Sequence, residues 1–258
     1  MYFCLGNGAQ RDGVDMSIKL NNLTLVYEKH PAVHHVTATI DGGDLLAVIG
    51  PNGAGKSTLL NALAGLTSVK QGSIKGLDPN EVAYLPQQSQ IDRSFPLSVT
   101  ELVATGLWQS IGFHQSTGRK HLYQCEEAIA VVGLQGFEKR MINTLSGGQM
   151  QRVLFARILL QDRMIILMDE PFNAIDTKTI ADLTLVIKTW HKDKRTVVMV
   201  SHDLEYVRQN IPKTLLLARE LIGFGKTQDV LTTENINRAQ HMCEDFDESA
   251  SWCERQVT

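Results

Sequence analysis

The sequence has few of the features that mark several large classes of protein. Its four cysteines, Cys4, Cys125, Cys243 and Cys253, are scattered along 258 residues and form no disulfide framework. The formal net charge of -3 gives no general affinity for nucleic acid or acidic lipid. The longest apolar runs, such as residues 165–168, have the length of a strand and fall far short of the ~18 residues that span a membrane. We therefore expect a reduced, soluble protein of the cytoplasm that binds no nucleic acid.

Two continuous apolar runs predict strands of a parallel sheet. Residues 164–170 and 196–202 are apolar up to their polar ends, which is typical of strands buried on both faces. A helix-like segment at residues 180–190 lies between them and completes a βαβ pattern. These segments predict an α/β fold.

The remaining patterns predict early strands, a helical middle and a terminal hairpin. Residues 18–27 partly alternate between apolar and polar, and two further strands flank the turn at 41–43. Residues 214–227 have the pattern of a hairpin, and residues 90–160 are mostly helical in character. In that helical stretch the apolar residues that recur at steps of three and four are Leu122, Cys125, Ile129 and Val132.

A complete phosphate-binding motif follows the second of the two strands that flank the turn. Residues 50–58 read GPNGAGKST and match G-x-x-x-x-G-K-[ST], with a strand before and a helix after. Gly53 and Gly55 allow the backbone to fold around an anion, while Lys56 can reach the terminal phosphates and the Ser57 hydroxyl can ligate Mg²⁺. A glycine turn by itself is compatible with a loop that has no ligand. The Lys-Ser-Thr that follows this turn indicates a nucleotide site.

Polar residues at the ends of the two parallel strands suggest the chemistry. Asp169 and Glu170 end the first strand. In phosphoryl transfer one carboxylate holds Mg²⁺ through water and a base orients the attacking water. His202, after the second strand, can hydrogen-bond a γ-phosphate. Read alone, these residues are also compatible with a solvated strand end and a structural histidine.

Taken in order, the motifs resemble one family, the ATP-binding subunits of ATP-binding-cassette (ABC) transporters. The resemblance covers residues 17–236 and predicts a P-loop NTPase parallel-sheet core with an N-terminal antiparallel β subdomain and an inserted α-helical subdomain. It divides the chain into a leader (1–15), an ATPase domain (16–240, helical at 90–160) and an acidic tail (241–258). The motifs are the phosphate loop, LPQQ at 85–88, the signature LSGGQ at 145–149, IILMDEP at 165–171, NAID at 173–176 and SHD at 201–203.

The resemblance implies a head-to-tail homodimer that binds ATP and Mg²⁺. The signature of one subunit would cap the γ-phosphate held by the phosphate loop of the other, and Asp176 would contact the opposite phosphate loop. Tyr27 would stack on adenine, unless it is an ordinary strand aromatic. The implied catalytic residues are Glu170, His202 and Gln87, and the implied Mg²⁺ ligands are Ser57, Gln87 and Asp169, with Gln88 the neighbouring alternative to Gln87. The implied nucleotide-binding residues are Tyr27, Gly50, Pro51, Asn52, Gly53, Ala54, Gly55, Lys56, Ser57, Thr58, Ser146, Gly147, Gly148, Gln149 and Asp176.

The family also implies a membrane partner. The segment from Gln87 to Trp108 would dock a permease subunit on the inner face of the cell membrane, with an extracytoplasmic solute-binding protein acting indirectly. Its Phe-Pro pair and Val-x-x-Gly helix resemble the zinc and manganese importer branch. A ferric siderophore or another small solute is the alternative cargo. A soluble ABC ATPase acting on DNA or the ribosome fits less well, because the chain has one cassette with contiguous halves, and the presence of Glu170 argues against a binding module without chemistry.

Two groups of histidines and cysteines suggest metal binding less strongly. His34 and His35 are adjacent in a predicted strand, where they would face opposite sides and make a poor metal pair. His241, Cys243 and Cys253 supply zinc ligand types, but their H-x-C-x9-C spacing matches no recognised finger. The alternative for the second group is a solvated acidic tail.

Overall fold

The structure, a computed structural model, describes residues 17–27, 30–87, 89, 91–108, 118–173 and 175–244. They form two units, one built from residues 80–198 and the other from residues 17–79 and 199–244. The strands are β1 (Ile18–Tyr27), β2 (His30–Ile40), β3 (Leu45–Ile49), β4 (Gln71–Lys75), β5 (Val82–Leu85), β6 (Ile165–Asp169), β7 (Thr196–Val200), β8 (Lys213–Ala218) and β9 (Glu220–Lys226). The helices are α1 (Lys56–Leu63), α2 (Val99–Ala104), α3 (Arg119–Val131), α4 (Gly147–Gln161), α5 (Thr177–Lys192), α6 (Leu204–Asn210), α7 (Thr227–Val230) and α8 (Thr233–Glu244).

An antiparallel sheet with the order β2-β1-β4 opens the second unit, as the sequence predicted. β1 pairs with β2 in a register that sets Ile18 opposite Ile40. Asn22 is left-handed (φ 46°) and the register shifts around it, so Leu20 and Leu23 are both buried although they are three residues apart. This bulge explains why the alternation along residues 18–27 is only partial.

Parallel pairing follows in both units and confirms the predicted α/β fold. In the unit of residues 80–198, β5, β6 and β7 are neighbours in that order, with β5 parallel to β6. In the other unit β3 is parallel to β8, and β8 forms an antiparallel hairpin with β9. Every residue of β3, β6 and β7 is buried, which matches the continuous apolar runs in their sequences.

Helices α2, α3 and α4 pack on one another and make up the predicted helical region, apart from residues 109–117, which lie outside the described structure. Cys125, Ile129 and Val132 are buried as predicted, but Leu122 is 44% exposed, so the prediction of a stripe that includes Leu122 was wrong. In the same unit Phe155 stacks between Phe172 and Trp190, with ring centroids 6.4 and 5.8 Å away.

The prediction for His34 and His35 needs correction. His34 and His35 lie inside β2, and their rings meet edge to face at 5.9 Å because the left-handed backbone of His35 (φ 48°) breaks the alternation of the strand. They do not face opposite sides. Residues 241–244, including His241 and Cys243, continue helix α8.

The described part of the chain contains no cluster of three His, Cys, Asp or Glu side chains that could hold a metal. Within the same residues, no helix is both long and apolar enough to span a bilayer. The predicted leader, Gln88, Cys253 and the rest of the acidic tail after residue 244 lie outside the described residues.

Candidate nucleotide site

The phosphate loop joins β3 to α1 and is shaped by glycines. Gly53 and Gly55 have left-handed backbones, with φ of 76° and 87°. A Cβ at Gly50 would lie 2.0 Å from the carbonyl oxygen of Leu217, and one at Gly55 would lie 2.2 Å from that of Ala32. The motif therefore needs glycine for conformation at 53 and 55, and for close backbone approach at 50 and 55.

Positive charge is concentrated where the loop enters α1. Lys56 is buried, and its Nζ donates to the carbonyl oxygens of Gly50 (2.8 Å) and Pro51 (2.7 Å). Gly55 has no side chain to cap α1, and the first turn of the helix carries no acidic residue. An ammonium beside a helix N-terminus of this kind is a suitable environment for a phosphate group.

Arg219, the single residue between β8 and β9, supports the loop. Its N–H donates to the carbonyl of Ala54 at 3.0 Å, and its own carbonyl accepts from the N–H of His34 at 2.7 Å. Its guanidinium donates to the carbonyl of Pro31 at 3.3 Å. The sequence analysis missed this residue, and the only available signal was its place in a one-residue turn, where its backbone is left-handed (φ 61°).

His202 lies beside the phosphate loop in the same unit. Together with Gly50 and Pro51 it lines a cleft of about 160 Å³, which Ile236 and Gln240 of α8 also line. The next residue, Asp203, caps α6 by accepting from the N–H of Tyr206 at 2.9 Å. The structure thus places His202 near the base of the loop, as its position after β7 indicated.

In the other unit, Asp169 and Glu170 end β6. Asp169 is buried, and burial together with the charge of Asp169 raises the pKa of Tyr84 to about 12. A buried carboxylate of this kind is a fitting partner for a divalent cation, which prefers oxygen ligands.

Glu170 and Gln87 meet directly. Gln87 Nε2 donates to Glu170 Oε2 at 2.8 Å, and Asn173 Nδ2 donates to the same oxygen at 3.2 Å. Glu170 has a left-handed backbone (φ 47°), which is unfavourable for a residue with a Cβ. The NAID motif contains Asn173 but indicates no role for it, and its contact with Glu170 is a further finding.

The signature residues begin helix α4 instead of forming a separate turn before it. Ser146 is the N-cap: its Oγ accepts from the N–H of Gln149 at 3.3 Å, and Gln149 Oε1 accepts from the N–H of Ser146 at 3.0 Å. Gly147 and Gly148 are in the first helical turn and have no positive φ. A Cβ on Gly148 would lie 3.4 Å from Asp176 Oδ2, an ordinary van der Waals contact, so packing within the subunit does not require glycine there.

Asp176 caps helix α5 within the same unit. Its carboxylate accepts from the N–H (2.9 Å) and the hydroxyl (2.7 Å) of Thr179, and these hydrogen bonds lower the pKa of Asp176. Arg152 donates to Thr179 Oγ1 (3.1 Å) and Asp182 Oδ2 (2.8 Å), which ties α4 to α5. Arg152 was also missed, although it lies one helical turn after Gly148 and so on the same face.

A family model described as ABC transporter matches residues 33–173. The chain belongs to the ABC transporter family. It is 37% identical over 229 residues to the zinc transport system ATP-binding protein TroB of Treponema pallidum, with 86% of each chain covered. It is 36% identical over 228 residues to the manganese transport system ATP-binding protein MntB of Listeria monocytogenes, with 86% of this chain and 95% of that protein covered.

Solved structures of ABC proteins share the fold. An inward-facing metal-chelate type ABC transporter is 30% identical, with a TM-score of 0.78 and coverage of 87% and 89%. The dimeric cassette MJ0796 with ADP and Pi is 28% identical, with a TM-score of 0.73 and coverage of 81% and 98%. The predicted family and fold are confirmed: the chain is an ABC ATPase subunit that binds nucleotide.

Each unit of this ABC ATPase contains part of the set of predicted site residues. The phosphate loop and His202 belong to one unit, while Gln87, Glu170, the signature and Asp176 belong to the other. The backbone of Tyr27 ends β1, but its side chain is outside the described structure, so its stacking on adenine stays a prediction.

Proposed function

We propose that this ABC ATPase drives the import of a divalent metal ion, zinc or manganese, through a membrane permease. The observation that carries the proposal is the identity of 35–37%, over at least 85% of the chain, with the zinc and manganese transport ATP-binding proteins. A ferric siderophore or another metal chelate is the second candidate cargo, supported by the metal-chelate type transporter among the structural relatives.

We infer that Lys56 and the backbone of residues 50–58 bind the phosphates of ATP. The closed glycine loop and the acid-free start of α1 support this role. Ser57 and Asp169, with Gln87, would hold Mg²⁺, because they supply the oxygen donors that this ion prefers. Bound Mg²⁺ would neutralise negative charge on the phosphates.

Glu170 is the proposed base that orients the attacking water. The amides of Gln87 and Asn173 donate to one carboxylate oxygen, Oε2, and so fix the orientation of the group. Gln87 therefore has a positioning role for the base in addition to its proposed contact with Mg²⁺. His202 would hydrogen-bond the γ-phosphate, and its place beside Gly50 supports this role.

The signature would act across a homodimer. Ser146 and Gly147 would cap the γ-phosphate bound by the partner's loop, and Asp176 would contact that loop. The position of Ser146 and Gly147 at the N-terminus of a fifteen-residue helix supports anion binding. The dimeric state of the cassette MJ0796 supports the assembly.

We propose that the permease docks on the segment from Gln87 to Trp108, at the inner face of the membrane, and that a solute-binding protein acts from the outside. Phe95 and Trp108 in this segment are 61% and 59% exposed, so both aromatic side chains are accessible to a docking partner.

Metal accumulation in cells tests the cargo. In the source organism, deletion of the chain should lower cellular zinc or manganese, measured by mass spectrometry in metal-limited medium. The wild-type chain should restore it and Lys56→Ala should not. Normal zinc and manganese with loss of siderophore-dependent iron uptake would refute the proposed cargo and favour the second one.

A further inference from the structure

A two-segment strap joins the exposed turn at Phe95 to the signature. We define the strap as residues 93–100 together with residues 138–145. The N–H of Ile142 donates to the carbonyl of Leu97 at 2.9 Å, and the N–H of Val99 donates to that of Arg140 at 2.9 Å. At the far end, the backbone N–H and the hydroxyl of Thr100 both donate to the carbonyl of Glu138, at 3.1 and 3.0 Å.

Arg93 closes the end of the strap that lies nearest the signature. Its Nη1 donates to the carbonyl oxygen of Leu145 at 3.3 Å. Leu145 is only 5% exposed and directly precedes Ser146, the N-cap of α4. The side chain of Arg93 is therefore bonded to the peptide group that leads into the signature helix.

The turn beside Arg93 is itself fixed. Asp92 Oδ1 accepts from the backbone N–H and the hydroxyl of Ser94, at 2.8 and 2.6 Å. The N–H of Leu97 donates to the carbonyl of Phe95 at 2.8 Å. A bonded turn holds the Arg93 backbone in place, so its guanidinium reaches Leu145 from a defined direction.

We propose that Arg93 is a positioning residue for the signature. By holding the Leu145 carbonyl it sets the orientation of the Leu145–Ser146 peptide, and with it the direction of the cap and of the first N–H groups of α4. The inference rests on the proposed action of the signature across the dimer. The inference also connects the proposed permease contact to the signature. A permease that binds at Phe95 would lie two residues from Arg93, whose side chain holds the Leu145–Ser146 peptide.

The test measures dimer formation in a chain that cannot hydrolyse ATP. In the Glu170→Gln background, the ATP-dependent dimer dissociation constant is measured by analytical ultracentrifugation for Arg93→Met and Arg93→Lys. Methionine keeps the apolar stem of Arg93 and removes the donor. The matched control is Arg140→Met, because Arg140 lies on the same strap but stacks on Phe137, with Cζ 4.0 Å from the ring centroid.

We expect Arg93→Met to weaken the dimer roughly tenfold, or about 1.4 kcal/mol, because a Leu145–Ser146 peptide released from Arg93 must be ordered again when the dimer closes on the phosphate. Arg93→Lys should recover part of the loss, since its ammonium can still donate. Arg140→Met should stay within about twofold of the parent. Fluorescent ATP binding to dilute monomers should be unchanged in Arg93→Met, because the signature does not act on the nucleotide of its own subunit. The melting temperature should fall by only a few degrees, as for the loss of one intramolecular hydrogen bond.

Some contrary results would overturn the role of Arg93 alone, and others would overturn the proposed function of the signature. A dimer of normal strength in Arg93→Met overturns the inference, and so does equal weakening by Arg140→Met or a fall in monomer ATP affinity. Gly147→Asp in the same background reports on the proposed function itself. If that variant dimerises normally, or if Glu170→Gln alone forms no ATP-dependent dimer, the proposed trans role of the signature fails and the inference falls with it.

Discussion

Ser146 has two roles that substitution can separate. In the structure its hydroxyl caps α4, accepting from the Gln149 N–H at 3.3 Å, while the proposed function needs the same residue to contact a phosphate. Loss of an N-cap hydroxyl costs about 0.5–2 kcal/mol of unfolding free energy. Because this bond is long and its donor is near solvent, we expect Ser146→Ala to lose about 1 kcal/mol. Asp is as good an N-cap as Ser, so Ser146→Asp should keep the stability of the wild-type chain.

The same carboxylate should abolish catalysis. A negative charge within ~4 Å of a phosphate costs about 4 kcal/mol at an effective dielectric constant near 20, which is on the order of 10³ in affinity. Urea denaturation monitored by circular dichroism, ATPase rates and ATP-dependent dimerisation should be measured on Ser146→Ala and Ser146→Asp. Ser146→Ala should have a lower free energy of unfolding and keep part of the ATPase activity. Ser146→Asp should keep the wild-type free energy of unfolding and lose the activity. A stable Asp variant with wild-type turnover would refute the placement of Ser146 against a phosphate.

Three further predictions concern the two halves of the site. Glu170→Gln should bind ATP but turn over on the order of 10² times more slowly or worse, because the base is lost, and gel filtration with ATP should show a trapped dimer; wild-type turnover would contradict the assignment. Lys56→Ala and Gly147→Asp subunits should each be nearly inactive, yet their mixture should regain ATPase activity with rising protein concentration. Dilute Gly147→Asp monomers that lose ATP affinity as badly as Lys56→Ala would contradict action in trans. Gly55→Ala should abolish binding of a fluorescent ATP analogue, since its Cβ would lie 2.2 Å from the Ala32 carbonyl, and unchanged affinity would show that the loop tolerates a shift.

Sequence reasoning predicted the positions of motif residues on the elements where the structure has them. The phosphate loop joins β3 to α1 and the acidic pair stands at the end of β6, as the apolar runs and the complete loop motif with its Lys-Ser-Thr indicated. Sequence reasoning failed where the backbone conformation is irregular inside a strand. Asn22 and His35 have left-handed backbones, but neither position is a glycine, which is the usual sequence signal for this conformation. The bulge and the contact between the His34 and His35 rings were therefore not predicted.

The second kind of failure concerns contacts between distant segments. Arg219 and Arg152 act through hydrogen bonds to residues far along the chain, to Pro31 and Asp182 among others, and a single sequence does not show such pairs. The signature glycines lie in the first turn of helix α4, and a Cβ on Gly148 would make only an ordinary van der Waals contact with Asp176 Oδ2 at 3.4 Å, so their role in meeting a phosphate stays a prediction.

The left-handed backbone of Glu170 places two requirements in conflict at one position: the free energy of this backbone conformation favours glycine, whereas the proposed role in ATP hydrolysis requires glutamate. A residue with a Cβ loses about 1–2 kcal/mol in this conformation, while glycine accepts it without steric cost. Glu170→Gly should therefore be about 1–2 kcal/mol more stable than Glu170→Ala, which loses the same hydrogen bonds from Gln87 and Asn173, and neither variant should hydrolyse ATP. In a saturation library, a screen for abundance should enrich glycine over alanine at position 170, and a screen for growth on scarce metal should remove it. Opposite selection by the two screens would show that evolution keeps the glutamate for its carboxylate, against the preference of its own backbone.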